Sequence, residues 1–500
     1  MIGLALLAPL SSFAEENGAN KKKPNIIYIL ADDLGISELG CYGQQLIETP
    51  NIDRLSQEGM TFSNHYSGTA VSAPSRCVLF TGLHTGHAYI RGNDEMASRG
   101  NVWNHKAVLA DSTLEGQRPV PAETVMIPAV MKQAGYTTAC IGKWGLGYPG
   151  SASTPNKMGF DFFYGYNCQR EAHTYYPPFL YRNEHREYLN NPLVVPHTKL
   201  DKGADPYEEK SYTKYTLNEY APDLMYKEIL NFIDLTKDNP FVLFWTTPLP
   251  HVPLQAPEKW VKHYVNKFGD EKPYTGNKDY FPCRYPRATY AAMISYWDEQ
   301  IGGLINKLKE LGIYDNTIII FTSDNGPAPS FKGSRAGNMR GCKASLFEGG
   351  IHMPFIIWDT KGEIPSGKTD DTTVVSALDL YKSLSSLAGI KLPADCKSDG
   401  MDMSAALKGV PQERREPLFW EYRRNESKAF PRPADKDVSP AIAVRYGKWK
   451  LLVDKDSTNV LLYDLEDNLR ENVDLSKKHP QVASRLSKLA LEWWNSLPEF

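Results

Sequence analysis

Four oxygen-bearing side chains stand directly after two apolar runs of the sequence. Asp32 and Asp33 follow one run, and Asp324 and Asn325 follow the other. Carboxylate and amide oxygens are hard ligands that suit Ca²⁺ or Mg²⁺ better than Zn²⁺. A cation held there could act as a Lewis acid. Because a single aspartate at such a place is often only a helix N-cap, the prediction of a metal site rests on the four together.

A second candidate group is the segment that begins at Ser72. Ser72 could supply a nucleophilic oxygen, and Arg76 follows it at the spacing of one helical turn. The two side chains can therefore face the same site, where the guanidinium could hold the oxygens of the nucleophile or of an anionic substrate. The alternative is an arginine on the surface of a helix.

The elements that must position these residues are predicted from apolar, β-branched runs. Such runs are typical of buried parallel strands, and they are separated by segments with helical periodicity at residues 122–134 and 288–311. This alternation predicts an α/β fold, a mostly parallel sheet sandwiched by helices. Ligands bind beyond the carboxyl ends of such strands, so four strand ends could build one site. The predicted strands are residues 25–30, 137–141, 241–245 and 317–322.

The carboxyl-terminal part of the chain has a different pattern. Short alternating runs predict a small antiparallel sheet, and a helical segment at residues 480–494 follows them. These runs cover residues 443–446, 449–453 and 460–465. We therefore predict a catalytic domain over residues 24–410 and a carboxyl-terminal subdomain over residues 411–500.

The first 23 residues are predicted to be a signal peptide and a linker. The apolar stretch 2–10 is too short to span a bilayer but fits the hydrophobic region of a signal peptide, and Ser12-Phe13-Ala14 resembles a cleavage site. The positively charged start of a typical signal peptide is missing. We expect a bacterial protein that is periplasmic or secreted.

The composition excludes some classes of function. The hydrophobic content of 41% and the charged content of 23% are those of a folded globular enzyme. A formal net charge of -3 provides no broad cationic surface for nucleic acid or for an acidic membrane. Seven cysteines without a CxxC pair indicate neither a zinc knuckle nor a disulfide framework.

The segment Ser72-Ala73-Pro74-Ser75-Arg76-Cys77-Val78-Leu79-Phe80-Thr81-Gly82 resembles the signature of the sulfatase family in its serine form, at every defining position. The resemblance extends from residue 25 to the strands at 449–451 and 462–465. It implies an alkaline-phosphatase-like fold. It also implies that a maturase that accepts serine oxidises Ser72 to formylglycine (3-oxoalanine), whose hydrated gem-diol attacks sulfur and later expels sulfate.

The same resemblance assigns roles to further residues. Lys143 in Gly-Lys-Trp-Gly and Lys343 in Arg-Gly-Cys-Lys match positions that bind the sulfate, as a dianionic transition state requires. His251 in Leu-Pro-His-Val-Pro matches the histidine that protonates the leaving oxygen. The resemblance further implies that the cation is calcium, with ligands from Asp32, Asp33, the oxidised Ser72, Asp324 and Asn325.

One position departs from the family pattern. The commoner version of the Lys143 segment carries a histidine where this chain has Gly145, and that histidine is credited with deprotonating the gem-diol. The base is therefore unassigned. Candidates are His87 and His173, although a lone histidine is more often structural. Relatives with glycine here occur among bacterial carbohydrate sulfatases, so the change does not imply inactivity.

The long segment 148–215 lacks clear periodicity and is rich in Tyr, Pro and Asn, which indicates a substrate-binding insert. Aromatic and polar residues around Arg170 and His173 could stack on a sugar and hydrogen-bond to it. These residues resemble segments of gut-bacterial sulfatases that act on galacto-configured sugars. We therefore expect exo-desulfation of galactose or N-acetylgalactosamine in host glycans such as mucin or glycosaminoglycans, at 6-O before 4-O. The alternative is a loop that is packed by its own aromatic residues.

Two other functions remain open at this point. The same scaffold hosts two-zinc phosphoester and phosphonate hydrolases, but those need a histidine beside the metal carboxylates, and this chain has Asp324-Asn325. The chain could also bind sulfated glycans without catalysis if Ser72 is never oxidised.

Overall fold

The computed structural model describes residues 23–93, 95–277, 279–329, 335–422 and 433–498. A large twisted sheet of ten strands dominates the structure, in the order β11-β2-β10-β9-β1-β8-β4-β5-β6-β7. In chain order these strands are β1 (Asn25–Ala31), β2 (Met60–Phe62), β4 (Thr137–Lys143), β5 (Phe162–Tyr166), β6 (Phe179–Arg182), β7 (His185–Tyr188), β8 (Phe241–Thr246), β9 (Thr317–Ser323), β10 (Phe355–Trp358) and β11 (Lys368–Asp370). A separate pair joins β3 (His65–Tyr66) to β12 (Val375–Ser376).

The four strands that the sequence predicted are the centre of this sheet. They lie side by side as β9, β1, β8 and β4, and all three pairings are parallel. Ala31 pairs with Ser323, and Gly142 pairs with Thr246, so the strands end at nearly the same level. The mostly parallel sheet and the convergence of the four strand ends are both confirmed.

Helices cover both faces of the sheet. The helices of the described residues are α1 (Pro50–Glu58), α2 (Ser72–Thr81), α3 (His105–Ala110), α4 (Ile127–Gln133), α5 (Ala221–Thr236), α6 (Glu258–Phe268), α7 (Pro286–Glu310), α8 (Glu348–Ile351), α9 (Leu380–Leu387), α10 (Ser404–Leu407) and α11 (Pro480–Asn495). Successive side chains of β1 point to opposite faces, so Tyr28 packs with the α2, α4 and α9 side, while Ile29 packs with the α1, α5 and α7 side. The sheet therefore has a separate apolar core on each face, as α/β architecture requires.

The helix predicted at residues 122–134 is shorter than expected. It begins only at Ile127, where Pro128 occupies the first turn and its fixed φ angle favours helix initiation. The helix predicted at residues 288–311 is confirmed within two residues as α7.

The carboxyl-terminal sheet has four antiparallel strands, one more than the sequence indicated. They are β13 (Leu418–Glu421), β14 (Ile442–Tyr446), β15 (Trp449–Val453) and β16 (Leu461–Asp464). α11 packs its apolar face against β14 and β15 through Leu486 and Ala490. The predicted antiparallel sheet with a covering helix is confirmed, while the domain boundary at residue 410 stays a prediction.

The segment 148–215 is less irregular than the sequence suggested. It contributes β5, β6 and β7, which extend the main sheet at one edge. These strands are short, and the pairs β5–β6 and β6–β7 are antiparallel, so no long apolar run marks them.

All but the last residue of the predicted signal peptide and linker lies outside the described residues. In the described part of the chain, no helix combines the length and apolar character that crossing a bilayer requires.

Candidate active site

Ser72 lies at the point where the strand ends converge. It is the first residue of α2 and is fully buried. Its Oγ lies 2.9 Å from Asp32 Oδ1 and 3.2 Å from Asn325 Oδ1. The helix start is held in place because Asn93 Oδ1 accepts a hydrogen bond from the Ala73 N–H. The predicted nucleophile position and the predicted metal ligands are thus neighbours.

Arg76 faces the same site, as its spacing from Ser72 predicted. Its Nε and Nη2 each lie 3.0 Å from Asp324 Oδ2, and its Nη1 donates to the backbone oxygen of Lys143 at 2.7 Å. The guanidinium is buried and therefore ties α2 to the ends of β9 and β4. Its contact with a substrate stays a prediction.

Two buried lysines complete the cationic part of the site. Lys143, the last residue of β4, places Nζ 2.5 Å from Asp32 Oδ2. Lys343, from the loop before α8, places Nζ 2.7 Å from Asp33 Oδ1 and 2.9 Å from Oδ2. Both ammonium groups therefore lie against the carboxylates predicted to bind the metal.

The charges of this cluster are closely coupled. Burial alone would raise the pKa of the Asp32 carboxyl, but the Lys143 ammonium, followed by His251 and Arg76, holds it well below its usual range. The pKa of Asp324 is instead raised, because burial and the neighbouring Asp32 charge outweigh Arg76. A cation bound beside Asp324 would lower this pKa again, because it would favour the ionised carboxylate.

The residues present fit a hard divalent cation. Asp32 Oδ1 and Asn325 Oδ1 both point at Ser72 Oγ, and Asp324 Oδ1 lies 3.3 Å from the Asp33 backbone N. The donor set is therefore rich in carboxylate and amide oxygens, which is the chemistry of Ca²⁺ and Mg²⁺ sites. One carboxylate oxygen each of Asp32 and Asp33 lies within 4.8 Å of the other and of a ring nitrogen of His251.

His251 lies on the loop after β8 and points into the site. Its Nε2 is 3.6 Å from Asp33 Oδ2, and its Nδ1 lies 2.5 Å from the backbone oxygen of Val252. That oxygen can only accept, so Nδ1 carries a proton and Nε2 faces the cluster. Burial, and then the Lys343 charge, lower the pKa of His251 to about 4. The ring is therefore neutral near pH 7, and an acid role requires it to take up a proton together with an anionic substrate.

The space beside Gly145 is occupied by a side chain of the insert. Its φ is +81°, and a Cβ atom there would lie 2.6 Å from Gln169 Cγ. Gln169 belongs to the insert and is buried. The insert therefore fills the space that a side chain at position 145 would need.

The two candidate bases have different surroundings. His87 comes after the carboxyl end of α2, a helix about 15 Å long that begins at Ser72, and it pairs with Asp399 at 3.0 Å. This position does not support His87 as the base. His173 lies beside His251, with ring centroids 6.0 Å apart and planes 12° from parallel.

Arg170 is only 1% exposed, and its guanidinium lies 3.3 Å from Glu171 Oε1 and 3.7 Å from Glu95 Oε1. Among the described residues, none of its three guanidinium nitrogens has a hydrogen-bond partner. Burial raises the pKa of Glu95 to about 8 although Arg170 opposes the shift. The structure thus places a polar group with unused hydrogen-bonding capacity in the insert, and contact of Arg170 with a sugar stays a prediction.

Sequence reasoning missed three residues around these groups, namely Gln169, His197 and Tyr280. His197 Nε2 lies 3.1 Å from His173 Nδ1, and the Tyr280 ring lies 5.8 Å from the His251 ring. Their sequence neighbourhoods contain no motif. Only their chemical type, and for Gln169 and His197 their place in the insert, could have indicated them.

Comparison with known proteins identifies the family. The model of the family described as Sulfatase matches residues 24–390. The chain is 28% identical to the N-acetylgalactosamine-6-O-sulfatase of Bacteroides thetaiotaomicron, over 97% of this chain and 96% of that protein. It is 30% identical to the N-acetylgalactosamine-6-sulfatase of Mus musculus, over 84% of this chain and 72% of that protein.

Solved structures agree with this result. The crystal structure of Ps i-CgsB in complex with k-i-k-neocarrahexaose is similar with a TM-score of 0.72 and 27% identity, covering 95% of this chain and 93% of that one. The chain belongs to the sulfatase family and is a sulfuric ester hydrolase with an alkaline-phosphatase-like fold. Its resemblance to carbohydrate sulfatases is confirmed.

Proposed function

We propose that this protein removes the 6-O-sulfate from terminal N-acetylgalactosamine or galactose of host glycans, with an oxidised Ser72 as nucleophile and one calcium ion. The observation that carries the proposal is the surroundings of Ser72 Oγ, which lies within 3.2 Å of oxygens of Asp32 and Asn325. This geometry suits a nucleophile that is activated beside a cation.

The oxidised side chain at position 72 would supply a hydrated aldehyde whose hydroxyl attacks sulfur. Lys143 and Lys343 would hold two sulfate oxygens, because both ammonium groups are already desolvated and lie against the carboxylates beside the nucleophile. Arg76 would keep Asp324 in place through its two contacts of 3.0 Å. His251 would protonate the leaving sugar oxygen through Nε2.

Calcium is the cation we propose. Asp32, Asp33, Asp324, Asn325 and the oxidised residue 72 would hold it, and it would polarise the sulfate and ease loss of the nucleophile's proton. A divalent cation at this place would offset the burial and the neighbouring Asp32 charge that raise the pKa of Asp324.

The proposed substrate rests on the relatives and on the insert. Two relatives from distant organisms both carry names that specify N-acetylgalactosamine 6-sulfate. In this chain, Arg170 and His173 come from the insert that also fills the space at Gly145. These polar groups would hydrogen-bond to a galacto-configured sugar. Sugars sulfated at 4-O are the second candidate substrates.

The test is a panel of regiodefined sulfated monosaccharides. The protein is produced with a maturase that accepts serine, and oxidation of residue 72 is verified by peptide mass. We expect turnover of N-acetylgalactosamine 6-sulfate or galactose 6-sulfate above the 4-sulfates, and none with the control variant Ser72→Ala. Turnover of other sulfated sugars in preference to both would overturn the assigned substrate.

The same assay separates the other functions. Aryl phosphate hydrolysis faster than aryl sulfate hydrolysis would indicate a phosphoester or phosphonate hydrolase. Binding of sulfated sugars without turnover by fully oxidised protein would indicate a glycan-binding protein.

We further propose that the protein is periplasmic or secreted. A maturase that accepts serine would oxidise Ser72 before or during export. The apolar stretch 2–10 supports the first proposal, and the serine at position 72 supports the second.

A further inference from the structure

A chain of hydrogen bonds runs behind the predicted sugar-binding residue His173. The backbone N–H of Tyr280 donates to His197 Nδ1 at 3.0 Å, and His197 Nε2 lies 3.1 Å from His173 Nδ1. His173 is partly buried, and its ring lies nearly parallel to that of His251. Three chain segments that are distant in sequence meet in this arrangement.

The backbone amide at one end fixes where every proton lies. A backbone N–H can only donate, so His197 Nδ1 must be unprotonated. A neutral imidazole carries its single proton on the other nitrogen, so His197 Nε2 is the donor to His173 Nδ1. His173 Nδ1 is therefore an acceptor, and the proton of His173 is on Nε2. Among the described residues, that Nε2 has no hydrogen-bond partner.

Both rings are neutral in this arrangement. Burial, and then the nearby His251 and His197, which would repel a second imidazolium, lower the pKa of His173 well below its usual range. Burial also lowers the pKa of His197, although Asp279 opposes the shift. A histidine that is held neutral with its proton on Nε2 donates there and cannot accept, so it is not suited to act as a base.

We propose that His197 is a positioning residue that locks His173 as a hydrogen-bond donor to a hydroxyl oxygen of the sugar. This inference rests on the proposed function. His251 protonates the oxygen that leaves, and His173, whose ring centroid is 6.0 Å away, recognises a second oxygen of the same monosaccharide. His197 thereby sets substrate specificity without touching the substrate.

The backbone on either side of this hydrogen-bond chain is unusual. His197 has φ of +68° and Tyr280 has φ of +61°, both in the left-handed region that non-glycine residues rarely adopt. Such conformations persist where the surrounding structure requires them. The two residues that share this backbone conformation are also the two that hydrogen-bond to each other.

The test uses two variants of full-length, oxidised protein. His197→Gln keeps an oxygen for the Tyr280 N–H and an N–H for His173 Nδ1, whereas His197→Leu removes both groups at similar volume. The substrates are N-acetylgalactosamine 6-sulfate, its 3-deoxy and 4-deoxy analogues, and an aryl sulfate that lacks the sugar.

We expect one deoxy analogue to lose about 10-fold in kcat/KM in the wild type, the factor typical of one hydrogen bond. His197→Gln should keep that discrimination. His197→Leu should lose about 10-fold on the full sugar, lose the discrimination between sugar and analogue, and retain aryl sulfate turnover within about twofold. Equal losses on sugar and aryl sulfate would show a merely structural role and overturn the proposal.

A spectroscopic readout does not depend on the substrate. Imidazole ¹⁵N shifts of histidine-labelled protein report the tautomer directly, and we expect His173 to carry its proton on Nε2 in the wild type and in His197→Gln, and to become a mixture in His197→Leu. A wild-type His173 protonated on Nδ1 would overturn the inference. Absence of sugar-sulfate turnover in wild-type protein with the expected tautomer would overturn the proposed substrate instead.

Discussion

Replacing His251 by alanine tests the assignment of the general acid. His251 is 5% exposed and directs Nε2 into the site, while Nδ1 is held by the Val252 oxygen. The variant removes the proton donor for the leaving oxygen but leaves both lysines and the metal ligands in place. Its effect should therefore depend on how much the leaving group needs a proton.

The expected size of the effect follows from this geometry. General acid catalysis typically contributes 10²- to 10⁴-fold, and a water molecule can enter the space that the ring vacates, so we expect a loss of about 10³-fold on a sugar sulfate. This corresponds to about 4 kcal/mol of transition-state stabilisation. A p-nitrophenyl sulfate has a leaving group that is stable as an anion, and its kcat/KM should fall less than about 10-fold.

The assay compares kcat/KM for the two substrates in the wild type, in His251→Ala and in the control Lys343→Met. Lys343 lies 2.7 Å from Asp33 and is assigned to the sulfate itself, so its loss should reduce both activities by a similar factor of roughly 10²–10³. If His251→Ala also reduced both activities equally, the reasoning that makes His251 the acid would be refuted.

The other predictions concern the metal, Gly145 and acid stability. Removing divalent cations with a chelator should abolish turnover and lower the melting temperature, and added Ca²⁺ should restore both. The reason is that a ligand at 100 times its Kd stabilises the folded state by about 2.7 kcal/mol. An unchanged melting temperature would argue against a metal site. Gly145→His should destabilise the protein by at least about 1–2 kcal/mol in denaturant titrations, because φ is +81° and Gln169 Cγ is 2.6 Å from the new Cβ. Adding Gln169→Gly to this variant should restore only part of the lost stability, since the strained φ remains. No loss of stability in Gly145→His would contradict the packing argument. His65 is buried, and burial lowers its pKa to about 3. Below about pH 6.5 the unfolded chain binds this proton and the folded chain does not, so the free energy of unfolding should fall by up to about 4 kcal/mol as the pH drops from 6.5 towards 3. His65→Gln should flatten this pH dependence in urea titrations at a series of pH values. An equally steep dependence in the variant would exclude His65 as its cause.

The centre of the fold could be predicted because its signals are local. Each of the four central strands is a continuous apolar run that ends in polar residues, and parallel strands must end at one edge of the sheet. That reasoning correctly brought Asp32 and Asp324 together from the sequence alone. The motif that begins at Ser72 added the nucleophile, and its spacing placed Arg76 on the same side of α2.

The remainder depends on contacts between distant segments. β5 to β7 were missed because short strands at a sheet edge need no long apolar run. The reason for Gly145 lies in Gln169, which is 24 positions further along the chain, and no local pattern connects the two. The partner of His173 is likewise set by tertiary packing, since His197 reaches it from a loop without periodicity.

The ion pairs of the site were also beyond the sequence. The sequence motifs predicted that Lys143 and Lys343 bind the sulfate. They did not predict that each lysine lies against a different aspartate of the metal site. Lys143 ends β4 and Lys343 lies in the loop before α8, so both pairings are set by how distant segments pack together.

The mass of the peptide that contains Ser72 tests the central claim most directly. Protein from the native host, or from a host with a maturase that accepts serine, should yield this peptide lacking two hydrogens, and only the converted fraction should hydrolyse sulfate esters. Sulfate ester hydrolysis by protein whose Ser72 peptide is entirely unmodified would contradict the account.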